Sequence, residues 1–161
     1  LSKLGFEVVA SSGRMAENEA FLKGLGASRL IDRSELSRPA KALETEIWAA
    51  AVDSIGGETL ATVLAQTKYE GIVAACGLAG GPGLPSTVMP FILRGVTLRG
   101  IDSVMAAQPR RQRAWQRLAE LMDRKKLAEL SKEVAFADVP QVAADILDGK
   151  VRGRLVVNVN A

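Results

Sequence analysis

The chain has 161 residues, 48% hydrophobic and 24% charged, a globular balance rather than a disordered one. One cysteine, Cys76, and no histidine exclude an internal disulfide, a zinc site built on Cys and His ligands, and a His-dependent triad. The net charge of +3 is spread along the chain, aromatic residues make up only 4%, and no apolar run approaches the ~20 residues of a membrane span, so neither nucleic acid nor membrane is expected as a partner.

The first residues have no basic-then-apolar signal pattern and no initiator Met, so the chain is expected to begin inside a longer protein of the cytoplasm. Residues 1–4 read as the end of a helix, with Gly5 as its left-handed cap. A strand is expected over 6–10, stopped by Ser11-Ser12-Gly13, then a helix over 16–25 closed by Gly26. A short strand over 29–31 precedes a helical piece that begins at Ser37 or Arg38, takes Pro39 into its first turn and runs to Trp48. Residues 49–55 form the next strand, ended by Gly56-Gly57, and 59–67 an amphipathic helix with Leu60, Val63 and Leu64 on one side. Residues 71–76 are apolar throughout, the pattern of a strand covered on both faces by helices.

A Gly/Pro-rich loop over 77–85 is followed by a short helix over 89–93 and a strand over 96–103. Pro109 opens a long helix to about residue 126, with Trp115, Leu118 and Met122 on one face. Strands over 132–136 and 155–159 flank a helix over 139–147, with Asp138 as its cap and Gly149 beyond its end. Strands alternating with helices predict most of a doubly wound, Rossmann-like parallel sheet. The expected division is a partial nucleotide-binding domain over 1–130 and a C-terminal segment over 131–161.

In such folds the ligand lies outside the carboxyl ends of the strands. After the first strand stand Ser11-Ser12-Gly13-Arg14, where NAD-preferring proteins carry an acid for the ribose 2′-hydroxyl. Hydroxyl and amide donors with a guanidinium suit the 2′-phosphate of NADP, and an ordinary polar turn with a solvated arginine remains the alternative. Arg33, just after the second strand, is placed to reach the same phosphate or the adenine. Cys76-Gly77-Leu78-Ala79-Gly80-Gly81 follows the buried strand, where small residues admit a close approach and Leu78 can cover a nicotinamide ring. Cys76 reads as a packed thiol, since no histidine can activate it. Asp53, within an apolar strand, is expected to bond amides of the turn at Gly56-Gly57. Arg110, Arg111 and Arg113 oppose the dipole of the helix they open; they either attract a phosphate or form a solvated face.

The segments VVASSGR, LGASRLIDR, WAAAVDSIGG, GIVAACGLAGG, TVMPFILRGVTLRGIDSV and RRQRAWQRL, in this order, resemble the medium-chain dehydrogenase/reductase superfamily. Within it the likeness is to the acrylyl-CoA reductase group, also labelled quinone oxidoreductase. The resemblance implies a zinc-free, two-domain enzyme using NADPH. Hydride would pass to the β-carbon of acrylyl-CoA and a proton to its α-carbon, giving propanoyl-CoA. It further implies that Ser12, Gly13 and Arg14 take the 2′-phosphate, and that Arg33, Leu78, Ile92, Ser103 and Arg154 also contact the cofactor. No catalytic residue is implied within these 161 residues. The resemblance also implies that the sheet is incomplete, lacking a first strand and the glycine-rich pyrophosphate loop. A catalytic domain would be missing too, leaving the last strand an orphan and NADPH affinity weak or absent for this stretch alone. A homodimer through the strand over 96–103 is implied for the longer protein. A quinone or enone reductase, with a quinone or acyl-CoA thioester as small-molecule substrate, and a non-catalytic nucleotide-binding or interaction module are the alternatives.

Overall fold

Short apolar runs interleaved with helices become strands, and every strand pair is parallel, because each crossover helix returns the chain to the same end of the sheet. The computed structural model describes residues 1–160 and divides into two units, Leu1–Gln108 and Pro109–Ala161, whereas the sequence reading draws its boundary at 130. The first unit runs β1 (Val9–Ser12), α1 (Met15–Leu25), β2 (Arg29–Asp32), β3 (Trp48–Asp53), α2 (Gly57–Ala65), β4 (Thr67–Ala75), α3 (Met89–Arg94) and β5 (Thr97–Gly100). β1 pairs with β2, with Ser12 opposite Asp32. β3, β4 and β5 form a second ladder in that order, with Asp53 opposite Ala75 and Ala75 opposite Gly100. Each ladder therefore presents its carboxyl ends along one edge, the edge on which the loops after the strands gather.

The core centres on α2. Leu60, Val63 and Leu64, at the expected spacing, bury against Val73 of β4 and Val96, together with Ile31 and Leu36. Two buried hydroxyls are satisfied: Thr62 Oγ1 donates to the Arg38 carbonyl at 3.0 Å and Thr67 Oγ1 to the Val63 carbonyl at 2.7 Å. Gly5 caps a 3-10 turn (Ser2–Leu4) in the left-handed region, φ 83°, as its position predicts.

Several expectations fail in this unit. The first strand, expected over 6–10 and stopped by Ser11-Ser12-Gly13, lies at Val9–Ser12, so Ser11 and Ser12 belong to it. Residues 37–47 form no helix. Arg38 instead makes a two-pronged pair with Glu44 at 2.8 and 2.6 Å, and Gln66 Nε2 donates to the same carboxylate at 2.9 Å. These tertiary partners, with Pro39, outweigh a weak local preference. Trp48 begins β3, and its Nε1 donates to Gln66 Oε1 at 2.9 Å. β4 starts earlier than its apolar run, at Thr67, and a register shift between Trp48 and Ala50 accommodates the extra residues. Nor is β4 covered on both faces: Val73 is fully buried but Ile72 is 46% exposed.

The second unit holds α4 (Gln108–Leu121), α5 (Arg124–Leu130), β6 (Ser131–Ala135), α6 (Val139–Leu147) and β7 (Arg154–Asn158). The single long helix of the sequence reading breaks at Asp123, whose Oδ1 accepts from the amides of Lys125 and Lys126 at 3.0 and 3.3 Å and starts a new helix. Asp138 stands at the start of α6 without a side-chain capping bond. The last strand is no orphan: β7 pairs in parallel with β6 from Ser131 opposite Arg154 to Ala135 opposite Asn158, across the α6 connection. Among the described residues no helix is long and apolar enough to cross a membrane.

Candidate functional site

The carboxyl end of β1 carries the densest set of expected site residues. Ser12 is half-buried, and its Oγ accepts from the Arg14 amide at 3.2 Å and from Asn18 Nδ2 at 3.4 Å. Arg14 stands at the N-cap of α1, with its Nη1 3.9 Å from Glu17 Oε2; both side chains are well exposed, so this pair restrains Arg14 only weakly. Across the ladder, the chain leaves β2 through a 3-10 turn (Arg33–Glu35) fixed by a capping box. Asp32 Oδ1 accepts from the Ser34 amide at 2.8 Å, and Glu35 Oε1 accepts from the Asp32 amide at 3.1 Å. Hydrogen bonds from the Ser34 hydroxyl and amide hold the Asp32 carboxyl below its usual range.

That turn sends the Arg33 side chain back over Gly13. A β-carbon on Gly13 would lie 2.5 Å from Arg33 Nε and 2.8 Å from its Cζ, so only glycine leaves room for the guanidinium there. Ser12, Gly13, Arg14 and Arg33 thus stand at the ends of neighbouring parallel strands, with the Arg33 guanidinium against Gly13, the Arg14 amide on the Ser12 hydroxyl and no acid at 11–14. Such a set suits a phosphate monoester, whose oxygens accept from planar guanidinium forks.

The second expected region lies beyond β3 and β4. Asp53 is 4% exposed, and its Oδ2 accepts from the Gly56 amide at 2.9 Å, as its place in an apolar strand predicts. Gly56 sits at φ 73°, ψ −158°, a conformation almost confined to glycine. The 77–83 loop docks on this turn: the Gly80 amide donates to the Ile55 carbonyl at 2.7 Å and the Gly57 amide to the Gly83 carbonyl at 3.1 Å. A β-carbon on Gly56 would meet the Gly81 carbonyl oxygen at 2.6 Å, and one on Gly77 the Ser54 carbonyl oxygen at 2.6 Å. Gly56 and Gly77 are therefore spent on packing one loop against another, a role the sequence reading did not separate from close approach of a ligand. Leu78 is 64% exposed.

Cys76 is exposed rather than packed, one residue beyond the end of β4 at Ala75. Its sulfur sits 3.3 Å from the Asp53 carbonyl oxygen. Ile92 is exposed on α3, and Ser103 is exposed in the loop after β5, next to Asp102, whose Oδ1 accepts from the amides of Val104 and Met105. Arg154 opens β7 in the second unit. Asn18 was not anticipated. Its only sequence signal is its place four residues after Arg14, one helical turn on. Among the described residues no group of three or more His, Cys, Asp or Glu could hold a metal ion.

Parallel strands joined by helices, with donors gathered at the strands' carboxyl ends, define a Rossmann-like domain of the nucleotide-binding class. Residues 1–124 match the family model described as zinc-binding dehydrogenase, and the chain belongs to that family. The metal in that description finds no ligand set in the described residues. The chain is 51% identical to the acrylyl-CoA reductase AcuI of Ruegeria pomeroyi over 162 residues, covering 100% of this chain and 49% of that protein. The crystal structure of the yhdH oxidoreductase from Salmonella enterica in complex with NADP matches with a TM-score of 0.93 and 47% identity, over 98% of this chain and 48% of that one. The Bacillus subtilis protein YhfP, named as a quinone oxidoreductase, is 42% identical over 98% of this chain and 48% of its own length. Its structure, with NAD bound, matches with a TM-score of 0.89 at 41% identity. The chain spans about half the length of the curated relatives it matches.

Proposed function

We propose that this chain is the NADPH-binding half of a zinc-independent oxidoreductase that reduces an activated carbon–carbon double bond, acrylyl-CoA to propanoyl-CoA. The carrying observation is the Arg33 guanidinium laid against Gly13, beside Arg14, with no carboxylate at 11–14. Arg14 and Arg33 would hold the 2′-phosphate, with the Ser12 hydroxyl as a third donor. Exposed Leu78 and Ile92 would give apolar cover to the nicotinamide end, and Ser103 and Arg154 are proposed as further contacts. The cofactor, when bound, supplies the hydride for the β-carbon of the substrate. The described residues contribute binding and orientation, which such chemistry needs from this part of an enzyme.

The fit is supported by a relative of known structure that binds NADP, while the NAD-bound YhfP marks the alternative outcome. The test is the kcat/KM of the protein carrying this chain with NADPH and with NADH, using acrylyl-CoA as acceptor. A preference for NADPH of at least about tenfold, lost in Arg14→Ala, is expected, since a charge-assisted bond contributes about 1.5–3 kcal/mol. Preference for NADH would overturn the reading. A quinone or other enone as acceptor is the second reading, favoured by the name of YhfP. Turnover of quinones but not of acrylyl-CoA by the same protein would establish it. A cytoplasmic setting and a homodimer accompany the proposal.

A further inference from the structure

We propose that Asn18 is a positioning residue for cofactor choice: it fixes the Ser12 hydroxyl as a hydrogen-bond donor facing the 2′-phosphate. This rests on the NADPH reading above. A serine hydroxyl has two acceptor positions and one donor hydrogen. Both acceptor positions of Ser12 are taken, by the Arg14 amide at 3.2 Å and by Asn18 Nδ2 at 3.4 Å. The hydroxyl's own hydrogen has no acceptor among the described residues. With both lone pairs engaged by these two donors, that hydrogen is left to point away from both of them, and a phosphate oxygen at the carboxyl end of β1 is the acceptor it would meet.

The geometry follows from the helix. The Asn18 amide donates to the Arg14 carbonyl at 3.1 Å, closing the first turn of α1. Side chains in a helix lean toward its N-terminus, so Asn18 reaches back over the turn and meets Ser12 six residues earlier. Asn18 is half-buried, so the amide is restrained rather than free in solvent. An anion at the hydroxyl gains a donor already aimed at it. A cofactor that lacks the 2′-phosphate gains nothing from the same arrangement, and so Asn18 acts on selectivity without touching the ligand.

The experiment is calorimetric titration of the protein carrying this chain with 2′,5′-ADP and with 5′-AMP, for wild type, Asn18→Ala, Asn18→Asp, Ser12→Ala and the Ser12→Ala/Asn18→Ala double variant. Asn18→Ala is expected to weaken 2′,5′-ADP about three- to tenfold and to leave 5′-AMP within about twofold, the scale of one hydrogen bond. Asn18→Asp is expected to weaken 2′,5′-ADP more than Asn18→Ala does. Its carboxylate accepts the Ser12 hydrogen and adds a like charge near the phosphate. In the Ser12→Ala background the Asn18→Ala loss should vanish, because the two act through one hydroxyl. Equal losses for the two ligands, or a loss in the double variant equal to the sum of the singles, would overturn the inference and leave the phosphate site standing. Equal affinity of the wild type for both ligands would instead overturn the phosphate reading and the inference with it.

Discussion

Gly13 and Gly56 look alike in the sequence and carry opposite burdens. What a β-carbon on Gly13 meets is the far end of the Arg33 side chain, which can swing aside, and the backbone there needs no left-handed conformation. Gly13→Ala should therefore change thermal stability by no more than about 0.5 kcal/mol while weakening NADPH, because the displaced guanidinium leaves the phosphate position. At Gly56 the obstacle is the Gly81 carbonyl at 2.6 Å, and φ is 73°. Gly56→Ala should cost about 2–3 kcal/mol in chemical denaturation. Unchanged 2′,5′-ADP binding by Gly13→Ala, or a fully stable Gly56→Ala, would contradict these assignments. The Ser12-Gly13-Arg14 motif is legible in the sequence because neighbours in the chain are neighbours in the turn. Arg33 over Gly13 is not, because their contact depends on the register that sets Ser12 opposite Asp32.

Among the elements, the segment 37–47 shows how tertiary partners displace a local preference. Its order comes from Glu44, which receives Arg38, Gln66 and the Lys41 amide together. The Arg38 guanidinium first, then Gln66 and the Lys41 amide, bring the Glu44 carboxyl down from 4.5 to about 2. A carboxylate with a depressed folded value stabilises the fold fully above its unfolded value. That contribution should be intact above pH 4.5 and fall away as the pH drops toward about 2. Urea denaturation of wild type across this window should show a loss that is shallower in Glu44→Gln, and parallel curves would sink the prediction. Arg94 supports the same region from α3, donating to the carbonyls of Ala65 at 2.8 Å and Glu44 at 2.6 Å. Neither residue announces this role in the sequence. Apart from Arg38 and the Lys41 amide, six and three positions from Glu44, their partners lie 22 to 50 positions away in the chain, and those of Arg94 are backbone carbonyls, which carry no side-chain signature.

For the molecule as a whole, β5 is the outer strand of its ladder: it pairs with β4 on one side and with no strand among the described residues on the other. An open edge of this kind is a template for pairing with a second copy. The protein carrying this chain is expected to be a dimer at micromolar concentration by light scattering after size exclusion, and a monodisperse monomer would refute the pairing. Alternating apolar runs and helical periodicities determined, by themselves, the parallel α/β class and the position of most strands, since burial demands depend on local pattern. The acid-free stretch at the carboxyl end of β1 was likewise set by the sequence, because the four consecutive residues 11–14 supply it. Only the tertiary structure decided that β7 finds a partner in β6, that 37–47 is irregular, that Cys76 is exposed, and that Asn18 and Arg33 converge on Ser12 and Gly13. The physical reason is common to all four. Each depends on which distant groups the packed chain brings within a few ångströms, and no local spacing encodes that.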